Sequence, residues 1–121
     1  MKIIGFEEIE AWKEARVLVK ELYAGFTNCR DYSFKDQIQR AGISIMANIA
    51  EGFERNTNKE FINFLSIARG SCAEVKSLLY TASDIGYVDG SAFTGFHGRL
   101  NKVNGLINGF ISYLKANPRK K

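Results

Sequence analysis

Six polar residues recur through the middle of the chain at helical spacing: Gln37, Arg40, Ser44, Asn48, Glu51 and Arg55. At about 100° per residue they fall within an arc of about 80°, one narrow stripe on a helix read from Asp36 to Arg55. Hydrogen bonding and ion pairing are the chemistry such side chains support, and two arrangements suit them. On a solvated face, Asp36 with Arg40 and Glu51 with Arg55 form i, i+4 pairs, each a weak stabilisation. On a buried face, Gln, Ser and Asn supply both donors and acceptors, and a fully satisfied network fixes register between helices or subunits. The buried reading is preferred, because most of the remaining circumference is apolar or small, from Ile38, Ala41 and Gly42 to Ile49, Ala50 and Phe53. A helix of that kind is normally covered on most sides. One bundle core in a 121-residue chain covers only part of it, so a second protein surface, and hence self-assembly, is expected.

Catalytic chemistry finds little support. The single histidine, His97, sits between Phe96 and Gly98 with no nearby nucleophile or carboxylate arrangement to make it a base, and reads as a partly exposed helix residue. The Glu-x-x-His pairs of a di-iron bundle do not occur. No strand precedes a glycine-rich phosphate loop. No enzymatic activity, metal or cofactor is therefore expected. Cys29 and Cys72 are the two cysteines; they lack metal-ligand spacing, and no signal sequence precedes them, which points to a reducing, cytoplasmic setting. The apolar run from Ala41 to Ala50 is far shorter than the roughly 20 residues that span a bilayer, so no membrane association is expected.

The basic residues are the remaining candidates. Lys13, Arg16 and Lys20 share a face of the first helix, Arg99 and Lys102 lie on one side of the fourth, and Arg119, Lys120 and Lys121 end the sequence. These eight are the candidate nucleic-acid contacts. In a monomer they are an ordinary solvated surface, since Glu10, Glu14 and Glu21 are interspersed. The net charge is +4, and a ring of five copies would carry about +20, enough for phosphate contact with counterion release.

Four helices must position these groups. The first is read from Glu7 to about Asn28, with Ile9, Trp12, Val19, Leu22, Tyr23 and Phe26 on its apolar face and an acidic start at Glu7, Glu8 and Glu10. Thr27 to Ser33 is a loop, with Ser33 as N-cap and Asp36 at the third position of the second helix. Thr57 with Glu60 makes a capping box for the third helix, which carries Phe61, Leu65, Ala68, Cys72, Val75 and Leu79 and stops near Ile85, with Gly86 as a left-handed cap. After a turn over Tyr87 to Gly90, the fourth helix repeats apolar residues from Phe93 to Leu114 in a heptad seam. Asn101, Asn104, Asn108 and Ser112 form its polar side. Gly95, Gly98, Gly105 and Gly109 each lower helix propensity by up to about 1 kcal/mol relative to Ala and suggest close approach by a neighbour. Pro118 ends the helix. The expected organisation is an all-α, antiparallel up-and-down four-helix bundle over 1–116 with a mobile basic tail over 117–121.

One run is more specific than helix periodicity requires: Gln37, Arg40, Ala41, Ser44 and Ile45, then Asn48 to Gly52 (NIAEG) and Arg55, followed by Phe61, Phe64, Leu65, Ala68, Gly70, Ser71 and Glu74. It resembles the bacterial four-helix bundle family encoded in intervening sequences of 23S ribosomal RNA genes. Phe6, Ile9 and Trp12 near the start and Gly86 with Tyr87 after the third helix extend the resemblance to roughly residues 6 to 115. The resemblance implies a ring, commonly a homopentamer, with no established enzymatic activity for most members. A related branch resembles the accessory variability determinant of diversity-generating retroelements, a basic pentamer that binds a reverse transcriptase and nucleic acid. The family motif carries over onto Gln37, Arg40, Ser44, Asn48, Glu51 and Arg55, the same stripe. Tyr32 to Asp36 departs from the Phe-Pro and acidic residue frequent before the second helix, and Met46 stands where proline is frequent.

Taken together, the expected function is a noncatalytic homopentameric scaffold for structured RNA or DNA, with a reverse transcriptase or ribosomal component as candidate partner. The alternative is a protein-interaction or structural module with no nucleic-acid role.

Overall fold

The computed structural model describes residues 3–118. After a 3-10 turn over Phe6–Glu8, four helices follow: α1 (Glu10–Gly25), α2 (Tyr32–Phe53), α3 (Asn58–Asp84) and α4 (Gly90–Ala116). They form the antiparallel up-and-down bundle that the periodicity predicts. α1 and α3 each pack against α2 and α4 and lie diagonally across the bundle from one another.

Capping chemistry fixes where the helices begin. Thr57 opens α3 by accepting a hydrogen bond from the Glu60 backbone N–H, the forward half of the expected capping box, while the Glu60 carboxylate accepts from the Thr57 hydroxyl at 3.3 Å rather than from its backbone N–H. At the other end of α3, Gly86 takes φ +81°. There the Tyr87 N–H bonds back to the Ala82 carbonyl at 2.8 Å and the Gly86 N–H to that of Ser83 at 3.3 Å, the paired pattern that a left-handed residue permits. Asp89 caps α4 by accepting from the Ala92 N–H.

α2 departs from the sequence expectation. Its N-cap is Asp31 rather than Ser33, with Oδ1 accepting from the Phe34 N–H at 3.1 Å. The Tyr87 hydroxyl donates to the other carboxylate oxygen at 2.7 Å, and Phe34 packs between Phe26 and Tyr87. A contact from the far side of α3 thus holds the cap in place. Asp36 is released from any capping role and pairs with Arg40 instead.

The first helix is also shorter than expected. Glu7 and Glu8 lie in the 3-10 turn, and the helix stops at Gly25. The stop coincides with crowding, since a Cβ on Gly25 would lie 2.5 Å from the Phe96 ring. Its buried face is Ala11, Ala15, Leu18 and Leu22 rather than Trp12, Val19 and Tyr23. The small residues there allow α1 to sit close to its neighbours, while Tyr23 remains 45% exposed.

Close approach also explains glycines on α2. A Cβ on Gly52 would lie 2.7 Å from Phe64 Cβ and 2.8 Å from Phe61, and one on Gly42 would lie 2.8 Å from Leu22. By contrast, Gly95, Gly98, Gly105 and Gly109 on α4 have nothing within 4 Å of that position. The close neighbour expected for them is absent from the single chain because they lie on its outward face. The core itself is apolar, with Leu18, Leu22, Ile38, Ile45, Ile49, Leu65, Leu79, Leu100 and Ile107 fully buried.

Candidate nucleic-acid interface

The outer face of α1 brings an aromatic ring and three cations together. Trp12 is half-buried, with Phe6 packed edge-on against it at 5.2 Å between centroids. The Arg16 guanidinium carbon stands 5.7 Å from the Trp12 ring centre, within the range of a cation–π contact. Lys13, Arg16, Val17 and Lys20 line a shallow depression of about 420 Å³ beside Trp12, with Glu7 at its edge. Lys13 also reaches Glu10 at 3.5 Å, but both side chains are at least half exposed, so this pair contributes little. The face keeps its charge toward solvent.

Arg99 and Lys102 stand differently. At the seam between α1 and α4, Arg99 Nη1 donates to Glu14 at 2.9 Å, while Nη2 and Nε donate to the two oxygens of Glu21 at 3.1 and 3.3 Å. The planar guanidinium fork suits this two-carboxylate arrangement. Lys102 Nζ reaches the other Glu14 oxygen at 3.3 Å. The hydrogen bond from Arg99 holds the Glu14 carboxyl below its usual value, and Glu21 and then Glu14 raise Arg99 in turn. These two cations are thus engaged within the chain, unlike Arg16 and Lys20, which appear in no ion pair among the described residues. Arg119, Lys120 and Lys121 lie outside the described residues.

The polar stripe of α2 divides into a middle and two ends. In the middle, Ser44 and Asn48 are half-buried. The Ser44 hydroxyl lies 2.9 Å from that of Ser71 on α3, and the Asn48 amide donates to the Ser44 carbonyl and hydroxyl at 2.8 and 3.1 Å. At the ends, Asp36–Arg40 and Glu51–Arg55 are exposed i, i+4 pairs at 2.9 and 3.4 Å, and Gln37 faces solvent. Arg55 additionally covers the Phe64 ring at 4.6 Å. Each arrangement weighed from the sequence therefore describes part of the stripe. Ser71 as the partner of Ser44 has no signal in spacing alone, because it requires knowing how α2 and α3 align.

His97 stacks on Phe93 at 5.3 Å, with Tyr80 edge-on and the Asn101 amide 3.4 Å from Nδ1. Its Nε2 and the Nε2 of buried Gln39 lack a hydrogen-bond partner among the described residues. No carboxylate or thiol stands against the imidazole to form a catalytic pair among the described contacts. Both cysteines are free thiols, and burial pushes Cys72 up to about 12. Among the described residues no group of three or more His, Cys, Asp or Glu is placed to hold a metal ion, and no helix is long and apolar enough to cross a membrane.

Fold and surface define the class: an all-α four-helix bundle with an apolar core and charged groups on its faces. The sequence matches the family model described as 23S rRNA-intervening sequence protein over residues 7–109. The chain belongs to that family. Among solved structures it is similar to a protein of unknown function from the S23 ribosomal protein family of Bacteroides thetaiotaomicron. The two share 23% identity at a TM-score of 0.78, over 84% of this chain and 97% of that one. That likeness concerns the fold. No curated protein matches the chain.

Proposed function

We propose that the protein is a noncatalytic homo-oligomeric scaffold, a pentamer on the family expectation, that binds structured RNA or DNA through the outer face of α1. The observation that carries the reading is the cluster of Lys13, Arg16 and Lys20 around the accessible edge of Trp12. Cations held toward solvent contact phosphates and release counterions, and a neighbouring aromatic ring offers a surface to an unstacked base. Assembly multiplies the effect, because each copy adds a net +4.

Self-association draws support from the solvent side of α2. Ile43 is 41% exposed and Ala47 is also exposed there, between the charged groups at either end of the stripe. Two free thiols fit a reducing, cytoplasmic setting. A reverse transcriptase or a ribosomal component would be a partner that brings its own nucleic acid to such a scaffold.

Fluorescence anisotropy of a structured RNA and a matched DNA duplex, titrated at several salt concentrations, tests the reading. Binding with a steep salt slope is the expected result; absence of binding even at low salt overturns it. A second reading rests on the engagement of Arg99 and Lys102 by Glu14 and Glu21, which leaves fewer open cations than the sequence counts. It makes the bundle a protein-interaction module, and it predicts partner capture that survives nuclease treatment.

A further inference from the structure

The polar side of α4 has a counterpart on α3. Asn101, Asn104 and Asn108 follow one another along α4 at steps of three and four, and Arg69 and Lys76 stand two turns apart on α3. Between the two helices lies a cleft of about 180 Å³, walled by Arg69, Lys76, Asn101 and Asn104 and floored by Cys72 and Leu100. Arg69 Nη1 donates across the helices to Asn108 Oδ1 at 3.0 Å, which orients the guanidinium and leaves its other N–H groups available. Lys76 enters no ion pair among the described residues, and no carboxylate lines the cleft. The whole of α4, from Gly90 to Ala116, contains no Asp or Glu. The floor is neutral as well, since the buried Cys72 thiol stays protonated near neutral pH.

Two cations and two carboxamides, with no group that only accepts, make a donor-rich wall. We propose that this cleft binds a phosphate group. The guanidinium fork matches paired phosphate oxygens, and the second cation balances the second charge of a monoester or pyrophosphate. Size narrows the ligand further. The cleft is smaller than the roughly 300–1,000 Å³ of sites for drug-sized molecules. The phosphate end of a ligand fits there, and no aromatic ring lines the cleft to stack a nucleobase. The phosphate belongs either to a small phosphorylated molecule or to the terminus of a nucleic acid. The cleft is separate from the depression beside Trp12, with which it shares no lining residue.

The test is a titration of the isotope-labelled full chain with inorganic pyrophosphate at constant ionic strength, followed by side-chain amide and guanidinium resonances and by calorimetry. Saturable binding that shifts Arg69, Asn101 and Asn104 is expected. The double variant Arg69→Gln/Lys76→Gln, confirmed folded by circular dichroism, should bind about tenfold or more weakly, since it loses two charge-assisted donors. Pyrophosphate binding that is absent in the millimolar range, that maps to Lys13, Arg16 and Lys20 instead, or that is unchanged in the double variant overturns the proposal. Competition by a 5′-phosphorylated oligoribonucleotide but not by its 5′-hydroxyl counterpart assigns the phosphate to a nucleic-acid terminus. Competition by neither assigns it to a small molecule. A Lys13→Glu/Arg16→Glu/Lys20→Glu variant should keep pyrophosphate binding whether or not it loses RNA, which separates failure of this site from failure of the scaffold reading.

Discussion

α1 has basic side chains on two of its sides, those of α4 on one and its own on the other, and the sides differ in what the fold does with them. Toward α4, Glu14 and Glu21 enclose Arg99 and draw in Lys102. Away from α4, Lys13, Arg16 and Lys20 surround Trp12 with only a weak exposed contact to Glu10. Arginine and lysine on both sides look alike in composition, yet one set holds two helices together and the other remains open to a ligand. A count of cations consequently overstates how much cationic surface a partner meets. The arrangement around a cation, including how far it is withdrawn from solvent, decides its role.

Charge reversal on the open side should have the largest effect. Lys13→Glu/Arg16→Glu/Lys20→Glu is expected to lower affinity for structured RNA about 100-fold at low salt and to flatten the salt slope by about 2.7, at about 0.9 per lost phosphate contact. Its thermal midpoint should stay close to that of the parent. Anisotropy and a melting curve on the same preparation check both halves; retained RNA affinity would place binding elsewhere.

Arg99→Ala should divide the other way. It leaves Glu14 with Lys102 alone and strands Glu21 at the seam, where the two carboxylate side chains are 18% and 39% exposed. That partial solvation reduces the cost to about 1–2 kcal/mol, or roughly 3–8 °C in thermal midpoint. RNA affinity should change little. A large loss of RNA binding with an unchanged midpoint would show that the seam is a contact site after all.

Acid titration sharpens the same contrast. The Arg99 hydrogen bond holds Glu14 below its usual 4.5, so the stability it contributes is fully present above that value. It is lost as the pH falls through the lower folded-state pKa. Melting curves between about pH 6 and 3 should show the parent losing stability more steeply than Arg99→Ala. Parallel slopes would mean that Glu14 is not linked to folding through Arg99. Asp31, lowered chiefly by the Tyr87 hydroxyl and then by the Phe34 N–H, contributes a slope of the same sign to both proteins.

The smallest effects fall on α2, where the contrast between engaged and open groups repeats along one stripe. Asn48→Leu removes the bonds to Ser44 and should cost about 1 kcal/mol. Arg40→Ala removes an ion pair whose partners are 79% and 65% exposed and should change stability by less than about 0.5 kcal/mol. Equal shifts in the two variants would erase the distinction between the stripe's middle and its ends. A change in native mass for Arg40→Ala would place that end at a subunit boundary.

Much of the bundle was legible because its signals are local. Apolar periodicity marked all four helices, and the pairs Thr57–Glu60 and Gly86–Tyr87 marked the ends of α3, since capping involves residues within one turn of each other. The start of α2 was not legible. Asp31 prevails over Ser33 through a hydrogen bond from Tyr87, 56 residues away, and no local pattern encodes that contact. The same holds for the Ser44–Ser71 contact and for Phe61 and Phe64 against Gly52.

The residues of this chain determined by themselves its helical class, its family motif and the identity of every cationic group, because propensity, periodicity and charge are properties of short segments. Only tertiary structure decided which cations meet carboxylates, which face Trp12, and that Arg69 and Lys76 oppose a row of asparagines. Those outcomes depend on the rotation and alignment of each helix against its neighbours. Packing across the whole core sets that geometry, and no single segment contains it.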